Sequence, residues 1–387
     1  MRGGRPLPGR HCVHAPIYLD HHATTPCDPR VVEAMLPYFT AEFGNPASLT
    51  HQFGRRASSA IEDARVDIAR FLGVPAGEIV FTAGATESNN TVLSLLRPGQ
   101  HAITSAIEHT SVLRPLERAV AAGAELTLLA PDAEGRITVG DVAAALRPNT
   151  RLVSIEAANS EIGVLHPIAE IGALCRPRGV VFHSDITQAA GKVPVDLREV
   201  DLASWSAHKL YGPKGIGGLF IRRDAGVPPL LLGGGQEGGR RSGTVNVPAV
   251  VGMGMAFTLR AGEMEPEGRR LAALRDELRE RLVAEVSGTS VNGPRGLRLP
   301  GNLNLSFARV EAEALIMALR RFALSAGSAC SSRERGPSRI LNALGAPHAE
   351  LGAVRIGLGK SNTAEHVAML VDDIQHAVLR LREISAA

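Results

Sequence analysis

Lys209 is the residue whose type and setting point most directly to chemistry. It stands in Ser204-Trp205-Ser206-Ala207-His208-Lys209-Leu210-Tyr211-Gly212-Pro213-Lys214-Gly215, after the apolar run Asp201-Leu202-Ala203 and before the strand-like Gly218-Leu219-Phe220-Ile221. That places it near a strand end, beside a Gly/Pro turn. Among 42 Lys plus Arg in 387 residues only four are lysines, Lys192, Lys209, Lys214 and Lys360, so arginine supplies nearly all the cationic surface. An amine on a flexible stem can lose its proton and form a Schiff base, which a guanidinium cannot do. Lys209 is thus a candidate covalent anchor for an aldehyde cofactor. Taken alone, it is equally compatible with a surface lysine left in a turn.

Other residues fit the same chemistry. Asp185, in Phe182-His183-Ser184-Asp185-Ile186-Thr187-Gln188, ends an apolar strand-like run, the usual ligand position of a parallel sheet. A carboxylate there could keep a pyridine nitrogen protonated as an electron sink, or could cap the next helix. Thr82-Ala83-Gly84-Ala85-Thr86-Glu87 lies between a strand and a helix, where exposed N–H groups can hold a phosphate. A bland strand-to-helix turn would read the same way. His109 could stack on an aromatic cofactor and relay protons, or simply flank a helix. Cys330, in Leu324-Ser325-Ala326-Gly327-Ser328-Ala329-Cys330-Ser331-Ser332, is the best candidate nucleophile, in a run expected to form a flexible loop. Cys175, in an apolar helical context, reads as a buried structural thiol. Arg355 puts a guanidinium in a strand, where it could clamp a carboxylate in bidentate fashion or face solvent.

The elements that must position these residues follow from periodicity. Strand-like runs lie at 17–20, 78–82, 101–107, 124–130, 151–157 and 180–184, with helical stretches at 56–72, 85–96, 111–122, 139–147 and 168–176. Continuous apolar strands separated by helices indicate a parallel sheet covered on both faces. The Gly-rich segment 233–243 breaks this pattern. A long helical region at 247–286 is expected to link two domains, and strands near 302–307 and 353–358 with helices near 311–321 and 363–384 form a smaller α+β unit. The expected division is a basic tail at 1–16, a large domain at 17–255 with its first strand close to the small domain, and a small domain at 256–387. Apolar content of 44% with 21% charge and a net charge of +3 reads as an ordinary globular protein and gives no argument for nucleic acid. No apolar run reaches membrane-spanning length. Cys12, Cys27, Cys175 and Cys330 are widely spaced, and the pair His21-His22 has no carboxylate or thiol partner at helical spacing. Neither a disulfide framework nor a metal site is expected, which suits a reducing cytoplasm.

Together the motifs Tyr18-Leu19-Asp20, Ala23-Thr24-Thr25-Pro26, Phe43-Gly44-Asn45-Pro46-Ala47-Ser48, Gly84-Ala85-Thr86-Glu87-Ser88, Ser206-Ala207-His208-Lys209, Arg241-Ser242-Gly243-Thr244 and Gly327-Ser328-Ala329-Cys330 resemble the cysteine desulfurases of the NifS and IscS group, within the class V aminotransferase fold. The resemblance runs from Ile17 to about Ile384. It implies an α/β, fold type I pyridoxal-phosphate enzyme, with a mainly parallel seven-stranded sheet in the large domain and a smaller α+β domain. It implies that Lys209 anchors pyridoxal 5'-phosphate, Asp185 pairs with the ring nitrogen, and Gln188 and Ser160 contact the phenolic oxygen. His109 would stack on the ring. Ala85, Thr86, Ser206 and His208 would hold the phosphate, with Thr244 supplied by the other subunit of a homodimer. Cys330 would carry persulfide sulfur, and Arg355 and Asn45 would contact the substrate, L-cysteine. The spacing from Cys330 to Pro337-Ser338 resembles the subgroup with a long catalytic loop. Asn159-Ser160-Glu161 departs from the frequent Asn-Asn-Glu, so Ser160 offers the phenolic oxygen a shorter donor. The product sulfur would pass to an acceptor protein, such as an iron–sulfur scaffold, or into thiolation chemistry. A class V aminotransferase or selenocysteine lyase is the alternative enzyme. A non-catalytic sulfur-relay subunit is the alternative of another class.

Overall fold

The strands that carry the chemistry alternate their side chains between two apolar layers. In the computed structural model, which describes residues 15–327, 338–347 and 349–386, they are β2 (Ile79–Thr82), β3 (His101–Ser105), β4 (Glu125–Leu129), β5 (Thr150–Ser154), β6 (Val181–Asp185), β7 (Leu202–Ser206) and β8 (Gly217–Ile221). They form one seven-stranded sheet in the order β2-β8-β7-β6-β5-β3-β4. Ile79, Phe81, Ile103, Val153, Phe182, Ala203, Trp205 and Phe220 pack on one face. Val80, Ala102, Leu152, Val181, Leu202, Leu219 and Ile221 pack on the other. With both faces covered, neighbouring residues of one strand are buried on opposite sides, which is why the runs read as continuously apolar.

β8 alone runs antiparallel, to both β2 and β7. The connection from β7 to β8, 207–216, contains only the short 3₁₀ turn Ala207–Lys209. A parallel return needs a crossover of a dozen or more residues, usually a helix, so the chain doubles back. The Lys209 turn thereby sits at the C-terminal edge of the parallel strands, beside the turn that follows β2. A side chain on Gly217 would put its Cβ 2.3 Å from the Trp205 carbonyl oxygen and 2.6 Å from Gly84 Cα.

A second unit is built on β9 (Thr289–Val291), β10 (Asn302–Phe307) and β12 (Val354–Gly357), an antiparallel sheet in the order β12-β10-β9. The N-terminal strand β1 (Ile17–Tyr18) pairs in parallel with β11 (Phe322–Ala323), and Asp20 bridges to Gly357. The 39-residue helix Val247–Glu285 serves both cores. Val250, Met253 and Phe257 lie in the core of the large sheet, whereas Leu271, Leu274, Leu278 and Leu282 lie in that of the second unit. Pro266, which has no N–H to give the helix, falls between the two stretches.

The close approach of Gly217 to Gly84 gives a direct test. Gly217→Ala is expected to lower the denaturant midpoint by an amount equivalent to about 1–3 kcal/mol, the usual cost of overpacking where backbone cannot yield. An unchanged midpoint would show that the two turns are not held as tightly as described.

Candidate active site

Every residue assigned to the cofactor within one chain ends or follows a strand at the same edge of the large sheet. The turn after β2 opens the helix Ala85–Leu93, whose N-cap Gly84 (φ 152°) provides no side-chain cap. The Ala85 N–H instead meets Ser206 Oγ at 2.8 Å, across from the end of β7. Thr86 follows on the same turn, and His208 Nδ1 lies 3.1 Å from Thr24 Oγ1. Burial, reinforced by the charges of Lys209, Lys214 and Lys192, pushes His208 down to about 4. A helix start whose N-cap has no side chain, with the Ser206 hydroxyl on its first N–H, suits a phosphate.

Asp185 ends β6 and is buried. Its Oδ2 accepts from Asn89 Nδ2 at 2.8 Å and its Oδ1 from the Thr187 N–H at 2.9 Å, both neutral donors. Lys209 Nζ donates to two backbone carbonyls of the N-terminal segment, His22 at 2.6 Å and Ala23 at 2.7 Å. Gln188 is clamped there too. Its Nε2 donates to the His22 carbonyl at 2.9 Å, while its Oε1 accepts from Lys192 Nζ at 2.7 Å and lies 3.2 Å from His22 Nδ1. This fixes the amide with its oxygen toward Lys192 and leaves one N–H of Nε2 for a phenolic oxygen. Burial and the nearby charges of Lys209 and Arg355 push the Lys192 amine well below its ordinary range. His109 caps the helix Thr110–Ala121, with Nδ1 accepting from the Ser111 N–H at 3.1 Å. These groups fit pyridoxal 5'-phosphate: an anion cradle, a buried carboxylate and an amine converge on one edge.

Arg355 is buried on β12. Its Nη2 donates to Asp20 Oδ1 at 2.7 Å and its Nη1 to the Ser160 carbonyl at 3.2 Å, and Nε is buried without a partner among the described residues. The solvent-facing alternative for this residue is therefore excluded. Ser160 follows β5 and is half-buried. Asn45 follows the helix Pro37–Thr40, and Thr244 precedes the long helix Val247–Glu285. They are exposed and line a separate cavity of about 440 Å³ with Arg65 and Gly234–Gly238. The Gly-rich segment is pinned to edge strand β2 by Glu237, which takes both Nη atoms of Arg65 at 2.9 Å and the Phe81 N–H at 2.9 Å. Arg241 pairs with Glu87 at 2.9 Å beside the phosphate turn. Cys330 and Cys12 lie outside the described residues. Cys175 is fully buried, and burial raises its thiol to about 12, which fits a structural role.

Several groups that shape the site are not evident from the sequence. His22, which there suggests only a weak metal ligand, supplies the carbonyl that Lys209 and Gln188 share. Lys192 stands out in the sequence only as one of four lysines, and that scarcity is its signal. Three buried carboxyls, Glu108, Glu156 and Glu161, ring the strand ends after β3 and β5. Glu161 accepts from Ser338 Oγ. Burial raises all three, and Glu108 is held protonated up to about 8.

The chain matches the class-V aminotransferase family over residues 17–370. It is 49% identical over 380 residues to the cysteine desulfurase IscS of Anaeromyxobacter dehalogenans (strain 2CP-C), covering 96% of this chain and 94% of that protein. The chain belongs to the cysteine desulfurases of the class-V aminotransferase family. The cysteine desulfurase IscS of Rickettsia bellii (strain OSU 85-389) is 45% identical over 381 residues, covering 96% and 93% of the two chains. Among solved structures, a NifS-like protein superposes with a TM-score of 0.86 at 34% identity, covering 93% of this chain and 98% of that one. DndA from Streptomyces lividans gives 0.74 at 36% identity, covering 87% and 97%. The fold is that of a pyridoxal-phosphate enzyme, and the activity is that of a cysteine desulfurase. The expected seven-stranded, mainly parallel sheet is present. No described helix is long and apolar enough to cross a membrane.

The buried carboxyls make a pH test. A carboxyl whose folded pKa is raised stabilises the fold fully below its unfolded value, and that contribution is lost as pH rises through the folded value. Glu108→Gln mimics the neutral form. Wild-type stability is expected to fall relative to Glu108→Gln between about pH 4.5 and 8, read from urea midpoints. Parallel profiles for the two proteins would contradict a proton held on Glu108.

Proposed function

We propose that Lys209 is the covalent anchor of pyridoxal 5'-phosphate and that Cys330 takes the sulfur of L-cysteine as a persulfide, leaving L-alanine. The observation that carries this reading is the convergence of Lys209, Asp185, Gln188 and the Ser206–Ala85 cradle at one sheet edge. The bound cofactor supplies an electron sink at the substrate Cα. This chain's residues do the rest. Asp185 holds the ring nitrogen protonated, and Gln188 Nε2 and Ser160 donate to the phenolic oxygen. His109 covers the ring. Lys209 Nζ, held by the His22 and Ala23 carbonyls, would take the Cα proton of the substrate. Arg355 receives the substrate carboxylate beside Asp20, with Asn45 as a further substrate contact. The Cys330 thiolate would attack the substrate sulfur as the Cβ–S bond breaks; the bonding pair stays with the carbon fragment, which takes up protons at Cβ and Cα to leave L-alanine.

The exposed Asn45 and Thr244, on loops that frame their own cavity, support a homodimer in which Thr244 completes the phosphate site of the partner subunit. The persulfide passes to an acceptor protein, an iron–sulfur scaffold or a thiolation partner, in the cytoplasm.

The decisive test is brief exposure to cysteine followed by peptide mass spectrometry. One added sulfur is expected on the Cys330 peptide of the wild type. Cys330→Ser should retain the yellow cofactor and lose alanine formation, because a hydroxyl is a poor nucleophile toward sulfur. Sulfur on Cys12, Cys27 or Cys175, or wild-type alanine formation by Cys330→Ser, would overturn the assignment. The last outcome would favour the lyase alternative, which forms alanine without an enzyme thiol.

A further inference from the structure

Asp185 and His109 are joined through two side chains. Asn89, on the helix that follows the phosphate turn, donates from Nδ2 to Asp185 Oδ2 at 2.8 Å and to Ser111 Oγ at 2.9 Å. Ser111 Oγ lies 2.7 Å from His109 Nδ1, and the Ser111 backbone N–H points at the same nitrogen at 3.1 Å. Asn89 is fully buried and Ser111 nearly so.

The hydrogens of this chain have one consistent direction. The amide cannot be reversed, because its oxygen would then face the Asp185 carboxylate. Both hydrogens of Nδ2 are therefore committed, one to each neighbour. Ser111 Oγ accepts from Asn89 and has its own hydrogen left for His109 Nδ1. The backbone N–H of Ser111 requires the same thing, since it too needs an acceptor at Nδ1. A neutral His109 then carries its proton on Nε2, the nitrogen that does not meet Ser111.

We propose that Asn89 and Ser111 are positioning residues that couple the two cofactor groups, holding Asp185 Oδ2 in place and fixing His109 as its Nε2–H tautomer. The proposal rests on the reading of Asp185 and His109 as cofactor contacts. It adds that proton transfer at His109 starts from a protonated Nε2, set through Ser111 and Asn89. It also means that a change at Asn89 is felt at both ends, at the carboxylate directly and at the imidazole through Ser111.

The test is ¹⁵N NMR of the histidine-labelled, cofactor-loaded protein, with visible circular dichroism of the bound cofactor alongside. In the wild type, His109 Nδ1 should resonate as a bare, hydrogen-bond-accepting nitrogen and Nε2 as a protonated one. Ser111→Ala should shift the Nδ1 resonance and Ser111→Thr should restore it. Asn89→Leu should shift it as well, although the change is one residue removed from the ring, and should alter the cofactor's dichroism. For Ser111→Ala, kcat is expected to fall on the order of tenfold with KM for cysteine little changed, part of the ~10²–10⁴ that a positioned acid or base contributes. A protonated Nδ1 in the wild type overturns the proposal, as does a Ser111→Ala spectrum identical to the wild type. Ser111→Ala is the mildest change and keeps the test open if Asn89→Leu does not fold. The histidine signals are read whether or not sulfur is transferred. Failure of the desulfurase reading would instead appear as an unmodified Cys330 with the His109 spectrum as expected.

Discussion

The site depends on one backbone segment, residues 19–25, which is bonded to the second unit at one end and to the Lys209 turn at the other. Leu19 exchanges hydrogen bonds with Ala323 and Gly357, at 3.0 and 2.7 Å, and the His21 N–H reaches the Gly357 carbonyl. Further along, the Thr25 N–H and Oγ1 both donate to the His208 carbonyl at 2.9 Å, and Oγ1 accepts from the Tyr211 N–H at 2.8 Å. Between these ends lie the two carbonyls that hold Lys209 Nζ. Asp20, on the same segment, holds Arg355 and accepts from Ser325 Oγ at 3.0 Å. Lys209 and Arg355 are thus held by the same short segment, one through its carbonyls and the other through Asp20. Such a shared support preorganises both without relying on side-chain packing.

The electrostatics of the sheet edge are consistent with that role. Burial raises Glu108, Glu156 and Glu161, drives His21, His183 and His208 down to about 4, and pushes Lys192 well below its ordinary range. In each of these groups burial disfavours the charged form. Charge that develops on a bound cofactor meets fixed N–H and O–H dipoles in a dry setting, where they act more strongly than in water.

The sheet was legible in the sequence because its strands, the edge strand β4 apart, are buried on both faces, and the residues at their ends were legible because a lysine is rare here and Asp185 closes an apolar run. The antiparallel turn of β8 was less so, since strand direction is decided by the shortness of 207–216 and not by any local pattern. The Lys192–Gln188–His22 clamp and the Asp185–Asn89–Ser111–His109 chain could not be read at all. Their members are spread over distant segments and meet only when the strand ends converge. Arg355 shows the opposite limit. Its strand was recognised, but burial against Asp20 needs the pairing of β12 with the N-terminal segment, a contact between residues 335 apart in the chain.

Every role assigned at this site depends on Lys209 as the covalent anchor. Borohydride reduction of the cofactor-loaded protein followed by peptide mapping tests this directly. The reduced cofactor should be found on Lys209 and on no other lysine, and Lys209→Ala should carry none. Label on Lys192 or Lys214, or none on any lysine of a yellow protein, would contradict the arrangement described.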